Sequence, residues 1–88
     1  MIRVVAMEYV VRTAEQLAPT LRAFRTELEL SQRDLAHRIG VTQQALSLLE
    51  RAPERAGFQR LMSLFAALEI EVVLRHKTDP RDDRPDGW

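Results

Sequence analysis

The chain has 88 residues, with 13 basic and 13 acidic side chains and no formal net charge at pH 7. This length allows one domain with a small core, so pairing with a second copy would help to bury apolar surface. The absence of cysteine excludes disulfides and thiolate metal sites, and the two isolated histidines argue against a metal centre. No apolar run approaches the roughly 20 residues of a membrane span, and the charged N-terminus does not resemble a signal peptide. We therefore expect a cytoplasmic protein without a cofactor.

The first twelve residues alternate weakly and are rich in β-branched side chains. This pattern predicts either a short strand near Met7–Val11 or an N-terminal arm over residues 1–12. A capping box, Thr13 with Gln16, then begins a helix that should end near Glu27–Leu28. Pro19 should kink this helix or mark its start. Its apolar face is Leu17, Leu21, Phe24 and Leu28.

The next stretch, Leu30–Glu50, contains two short helices joined by Gly40. Ser31 caps the first helix with Asp34 three residues on, and Thr42 caps the second. A glycine at this position is typical of a left-handed residue that ends a helix. Two helices of this length with so tight a turn predict a helix-turn-helix unit. Its inner side should consist of Leu35, Ala36, Ile39, Ala45, Leu46 and Leu49.

The outer side of the second helix carries the candidate DNA contacts. Adjacent Gln43 and Gln44 suit adenine, which presents an acceptor and a donor in the major groove, although they could also be a solvated helix start. Leu48 faces outward and either touches a thymine methyl or is an isolated surface leucine. The loop residues Arg51 and Arg55 could reach phosphates or merely aid solubility. The predicted contacts from this region are Thr42, Gln43, Gln44, Ser47, Leu48, Arg51 and Arg55.

After a loop with Pro53 and Gly57, a last helix is predicted over Phe58–Leu68. Its core stripe should be Phe58, Leu61, Met62, Phe65 and Leu68, widened by Leu64. Residues 70–77 then alternate and predict a strand that must pair with the N-terminal strand or with its own copy across a two-fold axis. The second option gives a homodimer through Ile70, Val72, Val73 and Leu74.

Residues 78–88 are rich in Asp, Arg and Pro and predict a disordered acidic tail. From Asp79 onward, four acids oppose two arginines, which leaves residues 1–78 with a net charge of plus two. Zero overall charge argues against nucleic acid, but a basic domain with an acidic tail is compatible with it. The terminal Trp88 is either accidental or an aromatic anchor for a partner protein.

The stretch Leu28–Glu50 resembles the helix-turn-helix of the lambdoid phage repressor and Cro class, the Xre-like family. The resemblance is carried by Ser31-Gln32, Leu35-Ala36, Ile39-Gly40-Val41, Thr42-Gln43-Gln44 and Leu49-Glu50. The rest is similar, more narrowly, to the HipB antitoxins in its Thr13–Pro19 entry, Ala52-Pro53 loop, Leu61–Leu68 helix, Glu71–Arg75 strand and Trp-ended tail. The departures are Glu29 where glycine is usual, Leu48 where a polar residue is common, and an added N-terminal stretch.

The resemblance implies an all-α, repressor-like domain of four to five helices over residues 13–69, with the strand over 70–77 forming an intersubunit sheet. It implies that Gln43 and Gln44 read bases, and that Thr42 and Ser47 contact bases or phosphate. It also implies that Gln32 contacts a phosphate and braces the recognition glutamine. Arg25 and Glu50 match a buried ion pair of the family.

The function implied by the resemblance is that of an antitoxin. Such a dimer represses its own operon at a palindromic operator in double-stranded DNA and neutralises a HipA-like serine/threonine kinase toxin. The main alternative is a stand-alone Xre-family transcriptional regulator, and a second is a protein-interaction module that no longer reads DNA. The sequence contains no paired carboxylates, nucleophile–base pair or glycine-rich phosphate loop, so we do not expect an enzyme.

Overall fold

The computed structural model describes residues 7–77, which form four α-helices. A 3₁₀ turn leads into the first helix, and a second 3₁₀ turn lies between the third and fourth. The helices are α1 (Leu17–Glu27), α2 (Gln32–Ile39), α3 (Gln43–Arg51) and α4 (Phe58–Ala67). The prediction of an all-helical domain with four to five helices is confirmed. In the described part of the chain, no helix has the length and apolar character needed to cross a membrane.

One apolar cluster holds the four helices together. Helix α2 packs against α3 and α4, and α1 packs against α3. The buried members of the cluster are Leu21, Leu35, Ala36, Leu46, Leu49, Leu64 and Leu68. Each helix therefore gives one face to the core, and the opposite face of α3 is left to solvent.

The N-terminal end of α1 accommodates a proline and is stabilised by side-chain hydrogen bonds. Pro19 is the third residue of α1, which begins at Leu17, and at this position a backbone N–H would have no acceptor within the helix, so the first turn accommodates the proline. The Gln16 side chain accepts from the N–H of Thr13 at 3.0 Å, which is one half of the predicted capping box. The Thr20 hydroxyl donates to the carbonyl of Gln16 at 2.7 Å and ties the 3₁₀ turn to α1.

Two helices end on a glutamate in the left-handed region. Glu29 after α1 has φ 58°, and Glu69 after α4 has φ 59°. At both ends the following residue donates back into the helix, with Leu30 N–H bonded to the Arg25 carbonyl at 3.1 Å and Ile70 N–H to the Phe65 carbonyl at 2.8 Å. This geometry favours glycine, so each glutamate holds a strained backbone conformation.

The predicted core was wrong at three positions. Phe58 and Met62 are exposed, the former by 69% of its surface, and Ala45 is also exposed. Met62 lies about 200° around α4 from the fully buried Leu64, because each residue turns the helix by about 100°. In α3, Glu50 occupies a place on the buried side, which shifts the centre of that side away from Ala45.

Neither predicted strand is found in the single chain. Residues 7–12 and 70–77 form no regular secondary structure. They border an open groove of about 730 Å³ together with α1 and the end of α4. The Tyr9 ring packs edge-on against Phe24, with 5.6 Å between ring centroids. The predicted tail over 78–88, with its anchor Trp88, lies outside the described residues.

Candidate nucleic-acid interface

A cap at Ser31 starts α2, and two further caps, at Gly40 and Thr42, flank the turn between α2 and α3. The Ser31 hydroxyl accepts from the N–H of Asp34 at 3.0 Å, and Gly40 has φ 73° and ψ 34°. The N–H of Val41 donates to the Ala36 carbonyl at 3.0 Å, which completes a left-handed helix end. The Thr42 hydroxyl then accepts from the N–H of Ala45 at 3.1 Å and starts α3. These local bonds fix the angle at which α3 leaves α2.

Helix α3 presents an outer face that is mainly polar. Gln43 and Gln44 are exposed in its first turn, Ser47 is half-buried, and Arg51 is exposed in its last turn. Leu48 lies between them with 59% of its surface exposed. Since residues four apart lie on the same side of a helix, these side chains form one continuous surface. We call this surface, made of Gln43, Gln44, Ala45, Ser47, Leu48 and Arg51, the α3 outer face.

A buried polar network fixes the inner side of α3. The Glu50 side chain is 2% exposed, and one of its oxygens lies 2.7 Å from Nε of Arg25 in α1. Its other oxygen accepts from the side-chain amide of Gln32 in α2 at 3.0 Å. Arg25 also donates to the Leu30 carbonyl at 3.0 Å. One carboxylate thus joins three helices, with both of its oxygens bonded.

The side chain of Gln32 contributes to this network. Its amide nitrogen donates to the Glu50 carboxylate at 3.0 Å, and its contact with a phosphate and with the recognition glutamine stays a prediction. This bond had no signal in the sequence, since neither helical spacing nor charge pairing relates Gln32 to a residue 18 positions away. The side-chain oxygen of Gln32 can still accept a hydrogen bond.

The charges around the α3 outer face are mostly basic. No acidic or basic residue occurs between Thr42 and Leu49. Over residues 30–57 the exposed charged side chains are Arg33, Asp34, Arg38, Arg51, Glu54 and Arg55, with exposed His37 beside them. The buried Glu50 is neutralised by Arg25. The face itself therefore offers no carboxylate to repel a phosphate backbone.

Three of the residues predicted for dimerisation, Ile70, Val72 and Val73, line the open groove beside α1. Val73 and Leu74 are 68% and 93% exposed, Val72 is also exposed, and Ile70 is half-buried against the core cluster.

Arg55, the last of the predicted DNA contacts, is exposed at the end of the second 3₁₀ turn. Among residues 7–77 no group of three or more histidine, cysteine or carboxylate side chains could hold a metal ion.

Comparison with known proteins connects this geometry to a family. A helix-turn-helix family model (HTH_3) matches residues 21–74. An uncharacterised HTH-type transcriptional regulator, y4dL of Sinorhizobium fredii (strain NBRC 101917 / NGR234), is 38% identical over 63 residues, which are 72% of this chain and 32% of that protein. The chain thus spans about a third of the length of this curated relative.

Solved structures show the same arrangement of helices. A HipB-O1-O2 complex is similar with a TM-score of 0.70 and 24% identity, over 77% of this chain and 99% of that chain. A HipA-HipB-O2-O3 complex gives 0.69 and 24%, over 77% and 96%. A protein described as an XRE family transcriptional regulator gives 0.53 and 34%, over 78% and 79%. The chain belongs to the helix-turn-helix family of the Xre type.

Proposed function

We propose that this chain is a DNA-binding transcriptional repressor that reads operator DNA with α3. The observation that supports this most is the exposed Gln43–Gln44 pair at the start of a helix that is held on its inner side by the Glu50 network. A glutamine amide has one acceptor and two donors, so it can bond N7 and N6 of adenine together. The rest of the α3 outer face is free of charge up to Arg51.

Phosphate contacts would fix the register of α3 in the major groove. Thr42 and Ser47, which flank the glutamines, carry hydroxyl donors. The NH₂ group of Gln32 has a second N–H besides the one bonded to Glu50, and this N–H could donate to a phosphate. Arg51 is an exposed cation at the C-terminal end of the face, and Arg55 is an exposed cation in the 3₁₀ turn that follows. We infer that the two arginines supply the salt-dependent part of the affinity, through displacement of counterions from the backbone.

The experiment that tests DNA reading is a comparison of binding by the wild type and by Q43A and Q44A. A preferred duplex is first selected from a random pool with the full chain. Loss of each bidentate contact should weaken binding by about 1–3 kcal/mol and relax the preference at one base pair. Gln59→Ala is the matched control, because Gln59 is an exposed glutamine on α4. Unchanged affinity and sequence preference in both variants would support a protein-interaction module.

A repressor of this kind acts on a palindromic site as a dimer. We propose a symmetric homodimer in which residues 70–77 of two copies pair as an intersubunit sheet. The exposed apolar side chains Val73 and Leu74 support this, as does the lack of regular secondary structure over residues 70–77 of the single chain. Sedimentation of the full chain at micromolar concentration should give the mass of a dimer, and a monomer would contradict the proposal.

The physiological role that we propose is that of an antitoxin which represses its own operon and neutralises a HipA-like serine/threonine kinase. Support comes from the similarity to HipB structures, one of them a complex that also contains HipA, and from the motifs outside the helix-turn-helix. A tagged full chain expressed from its own operon should co-purify with a kinase and suppress its activity. Truncation before Trp88 should weaken that association if the indole is the anchor.

The second candidate is a stand-alone Xre-family regulator without a toxin. It is favoured by the relative y4dL, which is named as a transcriptional regulator and is more similar in sequence than the HipB chains. In this case the chain would bind its operator equally well but would be recovered from cells without a kinase. Both candidates assign the chain a non-catalytic role.

A further inference from the structure

The α3 outer face contains an apolar patch where a purely hydrogen-bonding surface would be expected. Leu48 is 59% exposed, and Ala45, which the sequence pattern predicted to be buried, is exposed one turn before it. The patch lies between Gln44 and Arg51, on the same side of the helix. Nothing in the core explains a leucine here, because Leu46 and Leu49 already fill the inner side.

We propose that Ala45 and Leu48 recognise the 5-methyl group of a pyrimidine in the major groove. This inference rests on the proposed reading of DNA by α3. The 5-methyl group of thymine is the apolar feature that an unmodified base pair presents in the major groove, whereas the other base edges present donors and acceptors. A leucine pressed against a G·C pair would remove water from polar atoms without replacing their hydrogen bonds, so it disfavours such a pair.

The spacing along α3 predicts where the methyl group lies. Leu48 is four residues after Gln44, which corresponds to about 6 Å along the helix axis. Successive base pairs are about 3.4 Å apart. The methyl-bearing pyrimidine should therefore lie within two base pairs of the adenine that Gln44 reads, in each half of the operator.

Leu48 does not distinguish thymine from 5-methylcytosine by hydrogen bonding, because its side chain has no polar atom. Both bases carry the same methyl group and differ in their exocyclic group. The shared chemistry is thus the methyl group, and separate duplexes are needed to tell the two bases apart.

The test uses the duplex selected with the wild-type chain, in which deoxyuridine replaces each thymidine in turn. At one thymine per half-site near the Gln44-dependent adenine, loss of the methyl group should weaken binding about fourfold, the equivalent of one buried methylene. Leu48→Ala should remove this dependence on the methyl group. At the same position, 5-methylcytosine should bind more tightly than cytosine, and thymine should bind more tightly than uracil, both by a similar factor.

Two controls keep the outcome clear. Leu48 is mostly exposed, so Leu48→Ala should keep the far-ultraviolet spectrum and the unfolding midpoint of the wild type. Leu48→Gln should also lose the methyl dependence, because the end of its side chain is a polar amide. If the chain selects a duplex but no thymine methyl contributes in a Leu48-dependent manner, this inference is overturned while the proposed function stands. If the chain selects no sequence at all, both fail.

Discussion

Removal of the Glu50 carboxylate should destabilise the domain more than any surface substitution. In Glu50→Ala, Arg25 and Gln32 both lose their bond to the carboxylate, and the Arg25 side chain is only 16% exposed, so water replaces the lost bond poorly. A hydrogen bond to a charged group contributes about 1.5–3 kcal/mol. Breaking a buried ion pair by removing one partner costs about 3–5 kcal/mol. Because Arg25 keeps its bond to the Leu30 carbonyl, we expect a loss in the lower part of that range, about 3–4 kcal/mol.

The loss is measured by urea unfolding followed by far-ultraviolet circular dichroism, at one fixed protein concentration, because dimerisation would make the midpoint depend on concentration. In thermal unfolding, a loss of 3 kcal/mol corresponds to a fall in Tm of about 12–24 °C for a domain of this size. Glu54→Ala is the matched control, since Glu54 is exposed and its replacement should change stability by less than about 0.5 kcal/mol.

The double variant R25M/E50L separates the two sources of the loss. It removes both charges and fills the space with apolar side chains, so it should recover most of the stability that Glu50→Ala loses. A loss below about 1 kcal/mol in Glu50→Ala would refute the reasoning that the network holds α3 in place. A double variant as unstable as the single one would show that packing, and not the unpaired charge, is responsible.

Two backbone predictions follow from the helix ends. Glu29→Gly should raise the free energy of unfolding by about 0.5–1 kcal/mol, because glycine adopts φ 58° without strain, whereas Glu29→Ala should give no such gain; chemical denaturation of the three chains compares them directly. Gly40→Ala should lower stability by about 1–2 kcal/mol, through its φ of 73° alone, because a Cβ there would meet no atom within 4 Å. Unfolding equal to wild type in Gly40→Ala would contradict this.

Much of the helical framework could be predicted from local signals. The cap at Ser31 and the left-handed Gly40 are recognisable because each depends on residues that are close in sequence. Thr42 was recognisable as a cap for the same reason. The end of α1 followed from the apolar spacing up to Leu28. These features need no knowledge of tertiary packing, and they were enough to place the turn between α2 and α3.

The predictions were wrong at positions where tertiary contacts determine which side chains are buried. Phe58 belongs to an apolar repeat, yet it lies in the first turn of α4 on a side that no other element covers among the described residues. Ala45 was expected inside because spacing cannot reveal that a charged residue, Glu50, shares the buried side. The bond between Gln32 and Glu50 joins distant positions, and periodicity carries no information about such pairs.

Residues 70–77 show a second reason why a sequence pattern does not determine the secondary structure of a single chain. Its alternation predicts a strand, but a strand forms only where its backbone groups find a partner. In the single chain, residues 70–77 form no regular secondary structure. The proposed pairing of two copies would supply such a partner, so the sedimentation experiment tests the strand as well as the dimer.

The central claim is that α3 reads bases through Gln43 and Gln44. It is tested most directly by measuring the energetic coupling between one glutamine side chain and one atom of the DNA. In the selected duplex, 7-deazaadenine removes the N7 acceptor of each adenine in turn, and binding of the wild type is compared with that of Q43A and Q44A. At one adenine per half-site, this replacement should cost the wild type about 1–3 kcal/mol of binding free energy, and the loss should vanish in one glutamine variant. A loss of the same size in the wild type and in both variants would contradict the claim that α3 reads bases through Gln43 and Gln44.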